Sequence, residues 1–346
     1  MAEKTYPDIA PVGTNCSYIR KGLLEPVEQF LSEDEIKDYY KGAIEAVTYN
    51  GSIWGFPWFM TTYALFLNMD IFEERNVKPP EDGIWTWEEF VAKLQELTYD
   101  SNGDGKKDVF GFHSFIKEGY YNTWGIITSD EAKLFSDDLS EFTFTSDEAI
   151  SGLQKLVDLA QKYNVTPPEF GKQGPKEAWT AFVENKNIAV FPAGSWAVNV
   201  LRQREKEGKG FKFDVAGFPL GKLGMPNIIH PEFGAYGIFK EDEEAKKRVC
   251  ISFLKFITAP EEQRKLKDYG VFPVRKSVGN IYLDDSYMIR IQENLNYTSP
   301  PPCHPNWLKI EPIIQNQIRE AVTGKKSPKQ ALEDAKSSII SFLNTN

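Results

Sequence analysis

The sequence predicts an α/β fold organised as two domains, and three observations carry that prediction. Helix and strand signals alternate along the whole chain, the pattern of mixed layers rather than of segregated helices or strands. At 346 residues the chain is too long for one ordinary core, and an apolar content of 41% leaves enough to fill two. Residues 49–70, YNGSIWGFPWFMTTYALFLNMD, set two apolar strands on either side of an interruption at Pro57 to Thr62, as where a chain crosses from one part of a fold to another.

The elements follow from local chemistry. Asn50-Gly51 predicts a tight turn, because both residues tolerate positive φ at little cost. An aromatic strand follows, then Pro57, Thr61 and Thr62, then a second apolar strand ending at Asn68. Capping boxes mark helix starts at Ser32 with Glu35, Thr86 with Glu89, Thr145 with Glu148, and Ser327 with Gln330, where Pro328 suits the first helical position. Beyond the last box, Ala331, Leu332, Ala335, Ile339, Ile340 and Leu343 recur at helical spacing, so the C-terminal segment should lay one apolar stripe on a domain. Strand-like runs appear at Ile188 to Phe191, Phe213 to Gly217 and Ala235 to Phe239. The proline-rich patch Ser299 to Pro305 reads as a loop. No internal repeat of solenoid period and no low-complexity tract is present.

Bulk chemistry excludes several functions. A net charge of −10 without a Lys/Arg block offers no electrostatic footprint for nucleic acid. The three cysteines, Cys16, Cys250 and Cys303, lack C-x-x-C spacing and are expected to be buried or half-buried free thiols. The apolar run Trp54 to Leu67 is too short, and too interrupted by Pro57, Thr61 and Thr62, for a membrane span of about 20 residues. Glu3, Lys4 and Asp8 follow Met1 at once with no apolar h-region, which read literally describes a cytoplasmic start. There is no G-x-S-x-G, H-E-x-x-H or G-x-G-x-x-G, and Thr323 to Ser327 lacks the first glycine of a P-loop. The three histidines, His113, His230 and His304, lie far apart and are expected in core or surface roles. No carboxylate pair is nominated by its spacing.

One metal motif is better defined. Asp100, Asn102, Asp104 and Asp108 in DSNGDGKKD place oxygen ligands at positions one, three, five and nine of an EF-hand-like loop, with Gly105 at the sharp turn. Position twelve is Gly111 instead of the bidentate Glu. The loop is a candidate structural Ca2+ site that would pin the connection between a helix over Thr86 to Thr98 and a strand near Val109; the alternative is an Asp/Asn/Gly-rich turn that binds nothing. No other cofactor is called for.

Aromatic content bears most directly on function. It reaches 14%, with eight tryptophans. A sugar ring presents an apolar C–H face and a polar hydroxyl edge, so its site needs flat aromatic platforms rimmed by carboxylates, amides and hydroxyls. Candidates with that local context are Trp58 and Phe59 beside Thr61; Tyr120, Tyr121 and Trp124 near Glu118; Trp196 after Gly194-Ser195; and Trp307 beside His304 and Asn306. For each one taken singly, core packing is the competing role.

An ordered series of short motifs spans almost the whole chain. Pro7-Asp8-Ile9 and Gly22-Leu23-Leu24-Glu25-Pro26 are followed by Asn68-Met69-Asp70-Ile71-Phe72, by Pro79-Pro80 with Thr86-Trp87-Glu88-Glu89-Phe90, and by Asp104-Gly105 to Gly111-Phe112. Ala189-Val190-Phe191 with Gly194-Ser195-Trp196, and Gly324 with Ser327-Pro328 and Ala331-Leu332, complete the series. In this order the motifs resemble those of extracellular solute-binding proteins of ABC importers, the maltose-binding-protein-like family 1.

The resemblance implies a two-lobe α/β periplasmic-binding-protein-like fold of type II, with the ligand cleft between lobes and crossovers near Met60, Phe233 and Leu283. Residues 1–60 and 236–283 would form the N-terminal lobe, and 61–235 and 284–346 the C-terminal lobe. It further implies a non-enzymatic, monomeric protein that binds a sugar or oligosaccharide by lobe closure and hands it to the transmembrane subunits of an ABC permease. Asn15 falls in a ligand-contacting loop. Thr61 takes a crossover position that is often acidic in the family, and Tyr121, Trp124, Trp196 and Trp307 match positions where members stack aromatics on sugars. Family members begin with strands and helices ahead of the PDV-like strand, whereas this chain starts almost at that strand. The expectation is therefore an incomplete N-terminal lobe in a natural protein that is exported and held outside the cell as a lipoprotein. The competing classes are a glycosidase-like enzyme, which needs two carboxylates about 5–10 Å apart, a carbohydrate sensor without transport, and a binder of glycerophosphodiesters or polyamines.

Overall fold

The computed structural model describes residues 6–12, 18–19, 21–222, 224–230 and 233–345. Along them run twelve strands: β1 (Ile9–Pro11), β2 (Thr48–Tyr49), β3 (Ser52–Ile53), β4 (Phe56–Met60), β5 (Tyr63–Asn68), β6 (Phe110–Phe112), β7 (Ile188–Gly194), β8 (Phe213–Ala216), β9 (Ile228–Ile229), β10 (Phe233–Ile238), β11 (Phe272–Pro273) and β12 (Thr298–Ser299). Helices separate most of them. The chain divides into two units, one of Met1–Thr61, His230–Ser286 and Ser299–Asn306, the other of Thr62–Ile229, Tyr287–Thr298 and Trp307–Asn346. The expected partition placed 61–235 and 284–346 in the C-terminal lobe; Thr61 and residues 230–235, 284–286 and 299–306 belong instead to the first unit.

In the first unit, Asn50 and Gly51 take φ of 50° and 79° and turn β2 into β3, as the dipeptide demands. The main sheet runs β1-β10-β4-β11, all antiparallel, with an irregularity between Gly234 and Ala235 in β10. Leu24, Val27, Phe56, Ala235 and Ile238 form a core with Cys250, Ile251 and Leu254 of the helix Glu244–Ile257. Ser32 and Glu35 close the expected capping box: Glu35 N–H donates to Ser32 Oγ at 3.1 Å and Ser32 N–H to Glu35 Oε2 at 2.8 Å.

The second unit carries the larger core, around a sheet of order β6-β7-β5-β8 in which β6 and β7 are parallel and the other pairs antiparallel. Every residue of β5 and β7 is buried, which explains why both read as unbroken apolar runs instead of alternating ones. Pro192 is tolerated in β7 because β6 pairs only as far as Val190, so the missing N–H breaks no bond of that ladder. Its carbonyl accepts from Asn122 Nδ2 at 2.9 Å.

The helix Trp87–Glu96 begins at the predicted Thr86–Glu89 box. The helix Asp147–Gln161 is capped by Ser146, whose hydroxyl accepts from Ala149 N–H, so the cap falls one residue beyond Thr145 and, with alanine at the third helical position, the expected reciprocal box does not form. In that helix Gly152 lies against the backbone of Ile127, where a Cβ would stand only 2.7 Å from the carbonyl carbon. The C-terminal helix Pro328–Thr345 buries Ala331, Leu332, Ala335 and Ile339, whereas Ile340, predicted as part of the stripe, stays 45% exposed.

Candidate functional site

Each unit presents its own aromatic group. In the first, Trp58 of β4 is half-buried, with its ring 5.0 Å from Phe59, 5.4 Å from Tyr236 of β10 and 6.5 Å from the exposed Tyr269. The buried Gln263 fixes this strand from behind: its Nε2 donates to Trp58 O at 2.5 Å while its Oε1 accepts from Val274 N–H at 2.8 Å. Phe59 lies across Gly234, where any side chain would collide with the ring, which accounts for glycine near the start of β10. Thr61 and His304 are both buried, and His304 Nδ1 accepts from Asn306 N–H at 3.1 Å. Asn15 lies outside the described residues.

In the second unit Trp196 opens the helix Ala197–Lys206 directly after β7 and remains 43% exposed. Its ring meets Trp179 at 5.2 Å, and Trp179 rests in turn on Phe191 at 5.6 Å. A Cβ on Gly194 would come within 2.6 Å of Trp196 Nε1, so the glycine is what lets the indole fold back over the strand end. Trp179 was missed by the sequence reading; its position three residues before Phe182 on the helix Pro175–Val183 is the signal that two aromatics share a face there.

A second cluster gathers on the loop 116–121. Tyr120 is 41% exposed, edge-on to Phe115 at 5.0 Å. Glu118, also exposed, pairs with Arg319 at 3.7 Å. Tyr121 and Trp124, predicted as stacking residues, are core: Trp124 has no exposed surface and stacks on Phe144 at 5.6 Å, and Tyr121 lies beneath it. They support a surface without providing one. Trp307 is half-buried, and its Nε1 donates to Tyr121 Oη at 3.0 Å. One face of the helix Trp307–Val322 thus faces this loop, since Gly119 N–H donates to Glu311 Oε1 at 2.9 Å and Gln315 Nε2 donates to Tyr120 O at 2.8 Å. Burial pushes the Glu311 carboxyl above its ordinary range, and burial followed by the nearby Glu311 charge raises the Tyr121 hydroxyl.

The Asp100 loop is a hydrogen-bonded turn in which the candidate ligand side chains accept from the loop's own amides. Asp100 accepts from Gly103 N–H and Gly105 N–H, Asn102 from Asp104 N–H, Asp104 from Lys106 N–H, and Asp108 from Ser101 N–H, all between 2.6 and 2.8 Å. Among the described residues no group of three or more His, Cys, Asp or Glu side chains is arranged to hold a metal ion.

Burial lowers the pKa of two histidines. His113 has no exposed surface; its Nε2 faces Gln173 Oε1 at 3.1 Å, Nδ1 has no partner among the described residues, and burial lowers its pKa to about 4. Burial lowers His230 to about 3. Cys303 is disulfide-bonded, correcting the expectation of a free thiol, whereas Cys250 is free and buried; Cys16 lies outside the described residues. Two concavities lie within the second unit, of about 560 Å³ beside Phe110, Gln161 and Phe170 and about 250 Å³ beside Phe218, Met225 and Tyr297. Neither is lined by a predicted ligand residue.

A model of the bacterial extracellular solute-binding protein family matches residues 1–287. The chain belongs to this family. Among relatives of this solute-binding protein, the galactooligosaccharide-binding protein of Bacillus subtilis is 23% identical over 330 residues, covering 92% of this chain and 72% of that protein. The sn-glycerol-3-phosphate-binding periplasmic protein UgpB of Salmonella typhimurium is 23% identical over 308 residues, covering 83% and 66%. Among solved structures, an ABC substrate-binding protein of Listeria monocytogenes in complex with cycloalternan aligns with a TM-score of 0.81 at 21% identity, over 99% of this chain and 86% of that one. Maltose-bound MalE3 of T. maritima aligns with a TM-score of 0.81 at 22% identity, over 98% and 85%. The solute-binding protein therefore has the two-lobe α/β type II fold that the sequence predicts.

Proposed function

We propose that this solute-binding protein is the substrate-binding component of an ABC importer and that its ligand is a neutral sugar or oligosaccharide, delivered by lobe closure to a membrane permease. The observation that carries the reading is the set of aromatic rings with uncovered surface, Trp58 with Tyr236 and Tyr269 in one unit and Trp196 with Tyr120 in the other. Such faces match the C–H face of a pyranose, and neighbouring amides and carboxylates suit its hydroxyls. Hinge closure, the general motion of periplasmic binding proteins, supplies the mechanism: a ligand touching both lobes stabilises the closed state through contacts the open state lacks. Relatives that bind galactooligosaccharide and maltotriose support the ligand class.

The protein acts as a monomer outside the cytoplasmic membrane, anchored in its natural form by lipid. Disulfide-bonded Cys303 supports an oxidising compartment, and among the described residues no helix is long and apolar enough to cross a membrane. No cofactor and no turnover are part of this reading.

Calorimetry and thermal shift with maltotriose, galactooligosaccharide, cycloalternan and glycerophosphocholine test it. Saturable binding of a saccharide, recovered chemically intact, is the expected result. Binding of glycerophosphocholine alone would replace it with a glycerophosphodiester reading, in line with UgpB relatives and a UgpB structure bound to glycerophosphocholine. Hydrolysis of the oligosaccharide would replace it with a glycosidase.

A further inference from the structure

Four residues of one helix, spaced four apart, reach a single loop. Trp307 Nε1 donates to Tyr121 Oη at 3.0 Å, Glu311 Oε1 accepts from Gly119 N–H at 2.9 Å, Gln315 Nε2 donates to Tyr120 O at 2.8 Å, and Arg319 Nη1 donates to Ile116 O at 3.3 Å. Spacing of four places them in one row along the helix, and three of the four bond loop backbone groups while Trp307 bonds the Tyr121 hydroxyl. Glu311 and Gln315 are buried, and they are also joined to each other, Gln315 Nε2 donating to Glu311 Oε1 at 2.9 Å. Those two acceptors fix which way the Gln315 amide points.

A row that served packing alone would be apolar. This one sets a buried carboxylate and a buried amide against Gly119 and Tyr120, in a loop whose other groups, Lys117 to Tyr120, are exposed. Gly119 sits at φ 79°, with open space where a Cβ would be, so the backbone conformation and not steric crowding selects glycine. The outcome is a short exposed segment whose backbone is bonded to the helix at Gly119 and Tyr120, with the Tyr120 ring edge-on to Phe115 at 5.0 Å and Lys117 Nζ 5.9 Å from its centroid.

We propose that Glu311 and Gln315 are positioning residues for ligand recognition: they hold the loop 116–121 in one conformation so that the Tyr120 ring is a preformed stacking face for a carbohydrate. The inference rests on the carbohydrate reading above. Affinity comes from avoiding the loss of loop freedom on binding, because a platform that is already ordered has less conformational entropy to give up. Neither residue needs to touch the ligand.

The experiment uses the full chain with Tyr120→Ala, Glu311→Ala, Glu311→Gln, Gln315→Ala and the double variant Tyr120→Ala with Glu311→Ala. Hydrogen exchange across residues 116–121 is read without any ligand, and maltotriose affinity by calorimetry. Glu311→Ala and Gln315→Ala are expected to speed exchange in the loop about tenfold or more while leaving the helix Asp147–Gln161 protected, and Glu311→Gln, which keeps an acceptor oxygen, restores protection. Maltotriose affinity should fall about tenfold in Tyr120→Ala and in Glu311→Ala, and the double variant should lose no more than Tyr120→Ala alone, since the carboxylate acts through the ring.

Unchanged loop exchange in Glu311→Ala overturns the clamp itself. Additive losses in the double variant overturn its action through Tyr120. Normal affinity in Tyr120→Ala, or no maltotriose binding by the unmodified chain, removes the stacking role, and the second of these also counts against the carbohydrate reading while the exchange result stands apart.

Discussion

Replacing Trp196 with alanine tests whether the exposed indole recognises ligand. A tryptophan side chain offers on the order of 200 Å² of surface, and Trp196 leaves 43% of its own uncovered. A sugar lying on one face would cover most of that remainder. At roughly 25 cal/mol per Å² the contact is worth about 2 kcal/mol, or about thirtyfold in affinity. The loss should appear in calorimetry with whichever saccharide of the panel binds the unmodified protein most tightly. Trp196→Phe keeps a flat ring and should lose much less. The substitution also uncovers Trp179, which packs at 5.2 Å, so melting is measured alongside to separate a lost ligand contact from a loosened helix start. Unchanged affinity in a Trp196→Ala protein that melts normally would refute the reasoning and leave the Trp179–Trp196 pair as surface packing.

Three further predictions are independent of that one. Gly152→Ala should destabilise the second unit by several kcal/mol, because the new methyl meets the Ile127 backbone, which cannot yield, and the gain in helix propensity is only about 1 kcal/mol; a variant that melts like the parent would show that the two segments can separate freely. The Asp100 loop, taken as a structural calcium site, should lose melting temperature on chelation while saccharide affinity is kept, and Asp100→Ala should lower melting too; identical melting curves with chelator and with added calcium would leave only the hydrogen-bonded turn. Glu311 has a native pKa above its ordinary 4.5, so its favourable contribution is complete below 4.5 and is lost as pH rises through the raised value. With Glu118, Arg319 and the Tyr121 hydroxyl as the charged and titratable groups facing it, Glu311→Gln should gain melting temperature relative to the parent between mildly acidic and neutral pH, and parallel profiles would contradict this.

Much of the fold was legible because its signals are local. Asn50-Gly51 specifies its turn from two residues, and the boxes at Ser32 and Thr86 each need only four. Where two caps compete side by side, as at Thr145 and Ser146, the local signal is degenerate and tertiary fit chooses. The candidate site was legible as residue types but not as surfaces. Trp124 and Trp196 carry similar polar and aromatic context in sequence, yet one is enclosed by Phe144 and Tyr121 while the other emerges over Gly194. That difference depends on partners outside the local window, Phe144 twenty residues beyond Trp124 and Trp179 seventeen before Trp196. The same holds for the bonded state of Cys303 and for the assignment of 299–306 to the first unit. The row from Trp307 to Arg319 was visible as spacing, but polar residues at that spacing ordinarily mark a solvated helix face, and only the loop opposite gives them another meaning.

The strand order of the first unit has a consequence for how the chain folds as it is made. β10 lies between β1 and β4, yet it is separated in sequence from β4 by the whole sheet of the second unit. During synthesis β1 and β4 emerge early and wait without their shared neighbour, while β5 to β8 can assemble as soon as Ala216 is available. The sheet that begins first is therefore completed second. Its closure depends on contacts of long sequence separation, which are entropically slow to form, so β1 and β4 stay without their shared neighbour until about two-thirds of the chain has emerged, even though the β2–β3 hairpin between them can close at once.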